Sequence, residues 1–208
     1  MAIGSDSPPT AERLERLHAT VLACTRCVER GYTANARPIF SGRHSDRIML
    51  IGQAPGRVSA EKALPFGGPS GPRLEQWLER AGFEKGALRS RVYLTSLTKC
   101  DPGRSNSGHG DRKPSPQEVA LCRPFLDEEL RIVQPKVVLL VGTMAIATFL
   151  GPAPLEEMVG SLVEQDTRLF LPLPHPSGAS RWLNDPPHQE LLANAITKLA
   201  ALRQDYAL

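Results

Sequence analysis

The stretch from Val137 to Leu155 carries no charged residue for 19 positions, which leaves two homes for it, a bilayer or a protein core. Gly142, Pro152 and Pro154 interrupt it, and Thr143 offers a helix N-cap. It therefore reads as a buried strand, a turn and a short helix. A strand covered on both faces is a continuous apolar run, and such strands belong to parallel sheets. Comparable runs occur at Arg47–Gly52, Arg91–Ser96 and Arg168–Leu173, with Lys136–Val141 as the central strand.

Between the strands lie helical patterns. Leu14, Leu17, Val21 and Leu22 share one face of Glu12–Cys24, and Leu74, Trp77 and Leu78 share one face of Arg73–Ala81, which Gly82 ends. Ser115, Pro116 and Glu118 spell a capping box for a helix running to Val133, and Asp185 with Pro186 opens a last helix to about Leu202. Strands alternating with helices predict an α/β fold, a central, mostly parallel four-stranded sheet flanked by helices on both faces. The 208 residues contain no linker or charge block, so one domain is expected, with residues 1–10 flexible. Met1–Thr10 lacks the basic and apolar regions of a secretory signal, which favours the cytoplasm, and no membrane segment is expected. With 25 Lys and Arg against 22 Asp and Glu, a broadly basic nucleic-acid coat is excluded, and any positive surface must be local.

In such a sheet the site lies beyond the carboxyl ends of the strands, and the unusual chemistry of this chain falls there. Gly52-Gln53-Ala54-Pro55-Gly56 leaves the first strand and is followed by Pro65-Phe66-Gly67-Gly68-Pro69-Ser70-Gly71. It fits neither the dinucleotide fingerprint nor a P-loop. It reads either as a rigid pocket with a Gln amide and a flat Phe surface, or as an ordinary tight turn with a core Phe. His175, between Pro174 and Pro176 just past the last strand, is held rigidly and can donate a hydrogen bond. The segment Lys99–Pro114, with three Gly and two Pro and no periodicity, is a long loop. Cys24 and Cys27 form a CxxC. Between Cys27 and Cys100 lie 72 residues, and between Cys100 and Cys122 lie 21. Four thiols so placed are ligands for an iron–sulfur cluster, ligands for zinc, or unrelated core residues.

Taken together these motifs resemble the uracil-DNA glycosylase superfamily, most closely its iron–sulfur branch, family 4. That branch has G-E-A-P-G followed after eight residues by P-F-x-G-x-x-G, and Gly52–Gly56 and Pro65–Gly71 keep the spacing. Its T-N-x-x-K-C and A-C-x-P-x-L are matched by Thr95–Cys100 and Leu121–Leu126, and its H-P-S by His175-Pro176-Ser177. The resemblance covers Cys24 to Arg181. It implies hydrolysis of the N-glycosidic bond of deoxyuridine in DNA, releasing uracil from a flipped-out nucleotide, by a monomer carrying a structural [4Fe–4S] cluster on Cys24, Cys27, Cys100 and Cys122. By the same resemblance Phe66 stacks on uracil, Gln53, Ala54, Pro55 and Gly56 surround the base and the attacking water, and His175 hydrogen-bonds uracil O2. The DNA-facing rim is expected at Ser70, Lys99, Arg104, His109, Arg112, Lys113, Ser177 and Arg181, the loop Pro176–Arg181 entering the minor groove.

Two positions depart from the family pattern. Gln53 stands where the family has its catalytic Glu, and an amide can orient water but cannot accept its proton. Ser96 stands where the family has a uracil-reading Asn, and offers a single hydroxyl. Catalysis then rests either on His175 and bound water or on a carboxylate such as Glu61 reaching in. His109, in a loop longer than usual, opens the alternative of an X-type glycosylase that traps DNA covalently. A non-catalytic uracil- or DNA-binding module of the same fold is the other alternative.

Overall fold

The computed structural model describes residues 9–105, 110–177 and 181–208. Residues 1–8 lie outside the described residues, as do His109 and residues 178–180 of the loop assigned to the minor groove. Among the described residues the elements run α1 (Thr10–Leu22), α2 (Arg26–Glu29), β1 (Ile48–Gly52), α3 (Arg57–Lys62), α4 (Ser70–Arg80), α5 (Ala87–Ser90) and β2 (Val92–Ser96). They continue with α6 (Pro116–Val133), β3 (Val137–Val141), α7 (Thr143–Leu150), α8 (Leu155–Met158), β4 (Val163–Gln165) and β5 (Arg168–Leu173). A 3-10 turn (Arg181–Asn184) and α9 (Pro186–Asp205) close the fold. No helix among them is long and apolar enough to cross a membrane.

The sheet order is β2-β1-β3-β5-β4, parallel except for β4, which pairs antiparallel with β5. The expected four strands are present and a fifth joins them. β4 is three residues long and largely exposed, joined to β5 through a two-residue turn with Asp166 at φ +54°. It is too short and too polar to register as an apolar run.

Alternation along the strands builds two cores, since successive side chains leave a sheet on opposite faces. Ile48, Leu50, Leu94, Leu139 and Leu171 pack with α4, α5 and α9. Met49, Ile51, Tyr93, Val138 and Leu140 pack with α1, α6 and α7. Ser115 caps α6 as its sequence indicates, its Oγ accepting from the Glu118 N–H at 3.2 Å while the Glu118 carboxylate accepts from the Ser115 N–H at 2.8 Å. Gly142 rather than Thr143 is the N-cap of α7.

Register brings the carboxyl ends together. Gly52 pairs with Ser96 and Val141 with Leu173, so the segments after β1, β2, β3 and β5 emerge side by side. The chain passes from β1 to β2 and then back past β1 to β3, which puts the change of direction between β1 and β3. Crevices that bind ligands form at such a point.

Candidate active site

The loop after β1 is anchored by continued pairing with the chain after β2: Leu97 N–H donates to the Gly52 carbonyl at 2.9 Å and Thr98 N–H to that of Gln53 at 3.3 Å. Gln53, Ala54 and Gly56 are half-buried. The Phe66 ring lies on the backbone of Gly52, where a Cβ would stand 3.0 Å from the ring. Phe66 has φ +51°, a left-handed conformation that a bulky residue adopts only when its surroundings enforce it. Here they do. Arg89 donates to the carbonyls of Pro65 and Phe66, Ser59 Oγ accepts from Gly67 N–H at 3.1 Å, and Lys62 Nζ reaches the Gly67 carbonyl at 3.1 Å. Gly71 completes the clamp, since a Cβ there would fall 2.2 Å from the Phe66 oxygen.

Across the crevice, the His175 ring packs on Gly142, the glycine that follows β3 and holds φ +86°. His175 Nδ1 receives the Ser177 backbone N–H at 3.2 Å and lies 2.8 Å from Ser177 Oγ. A backbone N–H can only donate, so Nδ1 carries the lone pair and the ring proton sits on Nε2. Burial, followed by the nearby Lys113 ammonium, holds the imidazole below its usual range, which keeps it neutral at pH 7. Ser96 ends β2, buried, with its carbonyl accepting from Lys99 Nζ at 2.9 Å.

Several residues expected at the rim lie elsewhere. Lys99 is 2% exposed and ion-paired at 2.9 Å with Glu129, which has no exposure at all, so it is out of reach of phosphate. Thr95 Oγ1 donates to the same Glu129 oxygen at 2.8 Å. Arg112 is engaged by both oxygens of Glu118 at 2.6 and 2.8 Å and by the Tyr32 carbonyl at 2.9 Å. Glu61 pairs with Arg57 at 2.6 Å, both side chains more than half exposed, instead of turning into the crevice. Arg104, Lys113 and Arg181 are exposed, and Ser70 begins α4 beside the Phe66 loop.

The long segment before α6 is not structureless. Arg104 and Asp111 form an antiparallel bridge, with Ser105 N–H on the Gly110 carbonyl at 3.1 Å and Arg112 N–H on that of Gly103 at 2.9 Å. Asp111 escaped the sequence reading because nothing in its Gly- and Ser-rich surroundings marks it. Its carboxylate reaches the β1 loop, accepting from Arg57 N–H at 3.3 Å. Arg89 and Glu129, which hold the Phe66 loop and Lys99 respectively, likewise carry no motif.

Cys24, Cys27, Cys100 and Cys122, all free, line one cavity together with Val21, Pro38 and Phe125. Burial pushes the Cys100 thiol up to about 12 and raises Cys27 and Cys122 as well, so all three are neutral thiols until something positive draws their protons off. Among the described residues no three His, Cys, Asp or Glu side chains close around a point that holds a single metal ion.

The uracil DNA glycosylase superfamily model matches residues 40–200. The chain belongs to this superfamily. The matched span contains both crevice loops, Ser96 and His175. A type-4 uracil-DNA glycosylase of Sulfurisphaera tokodaii is 31% identical over 132 residues, 63% of this chain and 55% of its own. One of Pyrobaculum aerophilum is 30% identical over 132 residues, 64% of this chain and 62% of its own. One of Thermotoga maritima is 30% identical over 138 residues, 66% of each chain. The chain thus spans between about half and two thirds of the length of these curated relatives. Gln53, Phe66, Ser96 and His175 all fall inside the matched span.

Proposed function

We propose that this chain is a uracil-DNA glycosylase of the type-4 kind, hydrolysing the N-glycosidic bond of deoxyuridine in DNA as a monomer in the cytoplasm, on nucleoid DNA. The observation that carries this reading is the fixed tautomer of His175, a neutral imidazole with its Nε2–H free to donate, on the same crevice as the Phe66 ring. A base flipped into that crevice stacks on Phe66. As the glycosidic bond lengthens, negative charge gathers on uracil O2, and a preorganised N–H aimed at it stabilises the transition state more than the ground state. Gln53 engages no protein side chain among the described residues, which leaves its amide to orient a water or the base. Ser96 contributes one hydroxyl, and discrimination between uracil and cytosine is accordingly weaker than a two-sided amide gives. Arg104, Lys113 and Arg181 serve the phosphates.

Cys24, Cys27, Cys100 and Cys122 are the proposed ligands of a [4Fe–4S] cluster. Support comes from the donor set: four free thiols around one cavity suit a cluster that takes one thiolate at each iron. Bound there, it supplies a structural tie between the CxxC after α1, the segment after β2 and α6, and no redox step. A uracil-containing oligonucleotide incubated with the protein and then treated with alkali is expected to be cleaved at the uracil. An intact strand at micromolar protein refutes the reading, and binding without cleavage that weakens steeply with salt favours a non-catalytic module.

A further inference from the structure

If the chain is a glycosylase, it lacks a proton acceptor where its relatives' motif has Glu, because Gln53 cannot take a proton. The geometry supplies a carboxylate from another part of the chain. Asp111 Oδ2 stands where a Cβ on Gly56 would be 2.3 Å away, so a side chain at position 56 would push the carboxylate off the edge of the Gly52–Gly56 loop. It accepts one long bond there, 3.3 Å from Arg57 N–H, and among the described residues its other oxygen has no protein partner. The side chain is exposed, open to water and to a substrate.

The flanking residues show that this orientation is built. The Arg104–Asp111 bridge ties the segment that carries Asp111 to the one that carries Arg104. Arg112 is turned away and locked on Glu118 and the Tyr32 carbonyl. Lys113, next along, is close enough to depress the His175 pKa. Neighbouring side chains along an extended chain point opposite ways, and here Arg112 faces Glu118 and Tyr32 while Asp111 faces the β1 loop.

We propose that Asp111 is the catalytic carboxylate of this chain, holding the attacking water at the Gly56 edge of the crevice and accepting its proton. The water oxygen forms the bond to C1′ and the C1′–N1 electron pair leaves with uracil, whose O2 is held by His175 Nε2–H. The water proton passes to Asp111 and then to the departing uracil anion. The products are uracil and an abasic site, with no other reactant needed.

The inference rests on the glycosylase reading, and the test separates the two. Single-turnover uracil release is measured for the wild type, Asp111→Asn, Asp111→Ala and the double variant Asp111→Asn/Gln53→Glu, alongside uracil-DNA affinity and melting midpoint. Asn keeps an oxygen for the Arg57 N–H and Ala does not. A capping role therefore predicts a near-normal Asn variant, whereas the catalytic role predicts that both lose about 10²–10⁴-fold in rate with affinity and melting little changed. The double variant is expected to recover at least tenfold over Asp111→Asn, because it returns a carboxylate to the loop. A wild type that releases no uracil overturns the glycosylase reading and this inference with it. An active wild type whose Asp111→Asn variant stays within about threefold overturns the assignment of Asp111 alone.

Discussion

Replacing Lys99 by Met removes the cation from a pair that has almost no solvent. Lys99 and Glu129 are 2% and 0% exposed with Nζ and Oε2 2.9 Å apart. At an effective dielectric of about 20, unit charges at that separation attract by roughly 6 kcal/mol, and this attraction offsets the loss of hydration of both groups. Without Lys99 the Glu129 carboxylate keeps only the Thr95 hydroxyl, on one oxygen. Its second oxygen, Oε1, has no partner. Breaking a buried pair on one side costs about 3–5 kcal/mol. For a domain of this size that corresponds to a fall of roughly 6–20 °C in melting midpoint. The double variant Lys99→Met/Glu129→Leu removes both charges and strands only the Thr95 hydroxyl and the Ser96 carbonyl, at about 1 kcal/mol each. It is expected to melt above the single variant. Differential scanning calorimetry of the wild type, Lys99→Met, Glu129→Leu and the double variant closes the cycle. A single variant within about 2 °C of wild type, or a double variant whose losses simply add, would show that the pair is not the buried, mutually dependent unit described.

His175→Ala should slow uracil release by about 10²–10³-fold in single-turnover assays, the usual cost of one oxyanion donor, and an unchanged rate would remove His175 from the chemistry. Phe66→Leu should weaken uracil-DNA binding by roughly 1–3 kcal/mol, the worth of one base–aromatic stack, as read by fluorescence anisotropy; equal affinity would exclude the stacking role. Burial holds both His18 and His175 below the ordinary imidazole range. The unfolded chain therefore takes up these protons first, and stability, full above pH 7, declines as pH falls below about 6.5 until the folded values are reached. A melting midpoint flat from pH 7.5 to 5.5 would contradict this. The purified protein should be brown, and Cys100→Ser should lose the colour; a colourless preparation with stoichiometric zinc would refute the cluster.

The parts of the fold legible in sequence are those whose signal is local and repetitive. β3 announces itself as Val137–Val141 with no charge, and α6 carries its own start at Ser115, Pro116 and Glu118. β4 has neither signal, being a short polar strand that exists because a two-residue turn folds it back on β5. The site divides in the same way. The loops at Gly52–Gly56 and Pro65–Gly71 are legible because Gly and Pro mark backbone constraint. The charged residues are not, because a letter for Lys or Arg carries no partner with it. Lys99 and Arg112 look like DNA contacts until Glu129, 30 positions away, and Glu118 appear beside them. Asp111 is the reverse case, an unremarkable loop residue that becomes important only once Gly56 is seen to leave room for it.

Sheet order also works as a ruler. Neighbouring strands lie roughly 4.8 Å apart, and Ser96, Gln53, Gly142 and His175 follow β2, β1, β3 and β5, four adjacent strands. The outermost attachment points, those of Ser96 and His175, are therefore three steps or roughly 14 Å apart. Between them the residue after β3 has no side chain, and the His175 ring packs over it. The missing side chain at position 142 lets the imidazole settle against the end of β3, so the place of the ring in this row of four is set by a glycine as much as by the prolines beside it. A methyl group at position 142 would come within 3.4 Å of that ring, on a backbone already at φ +86°.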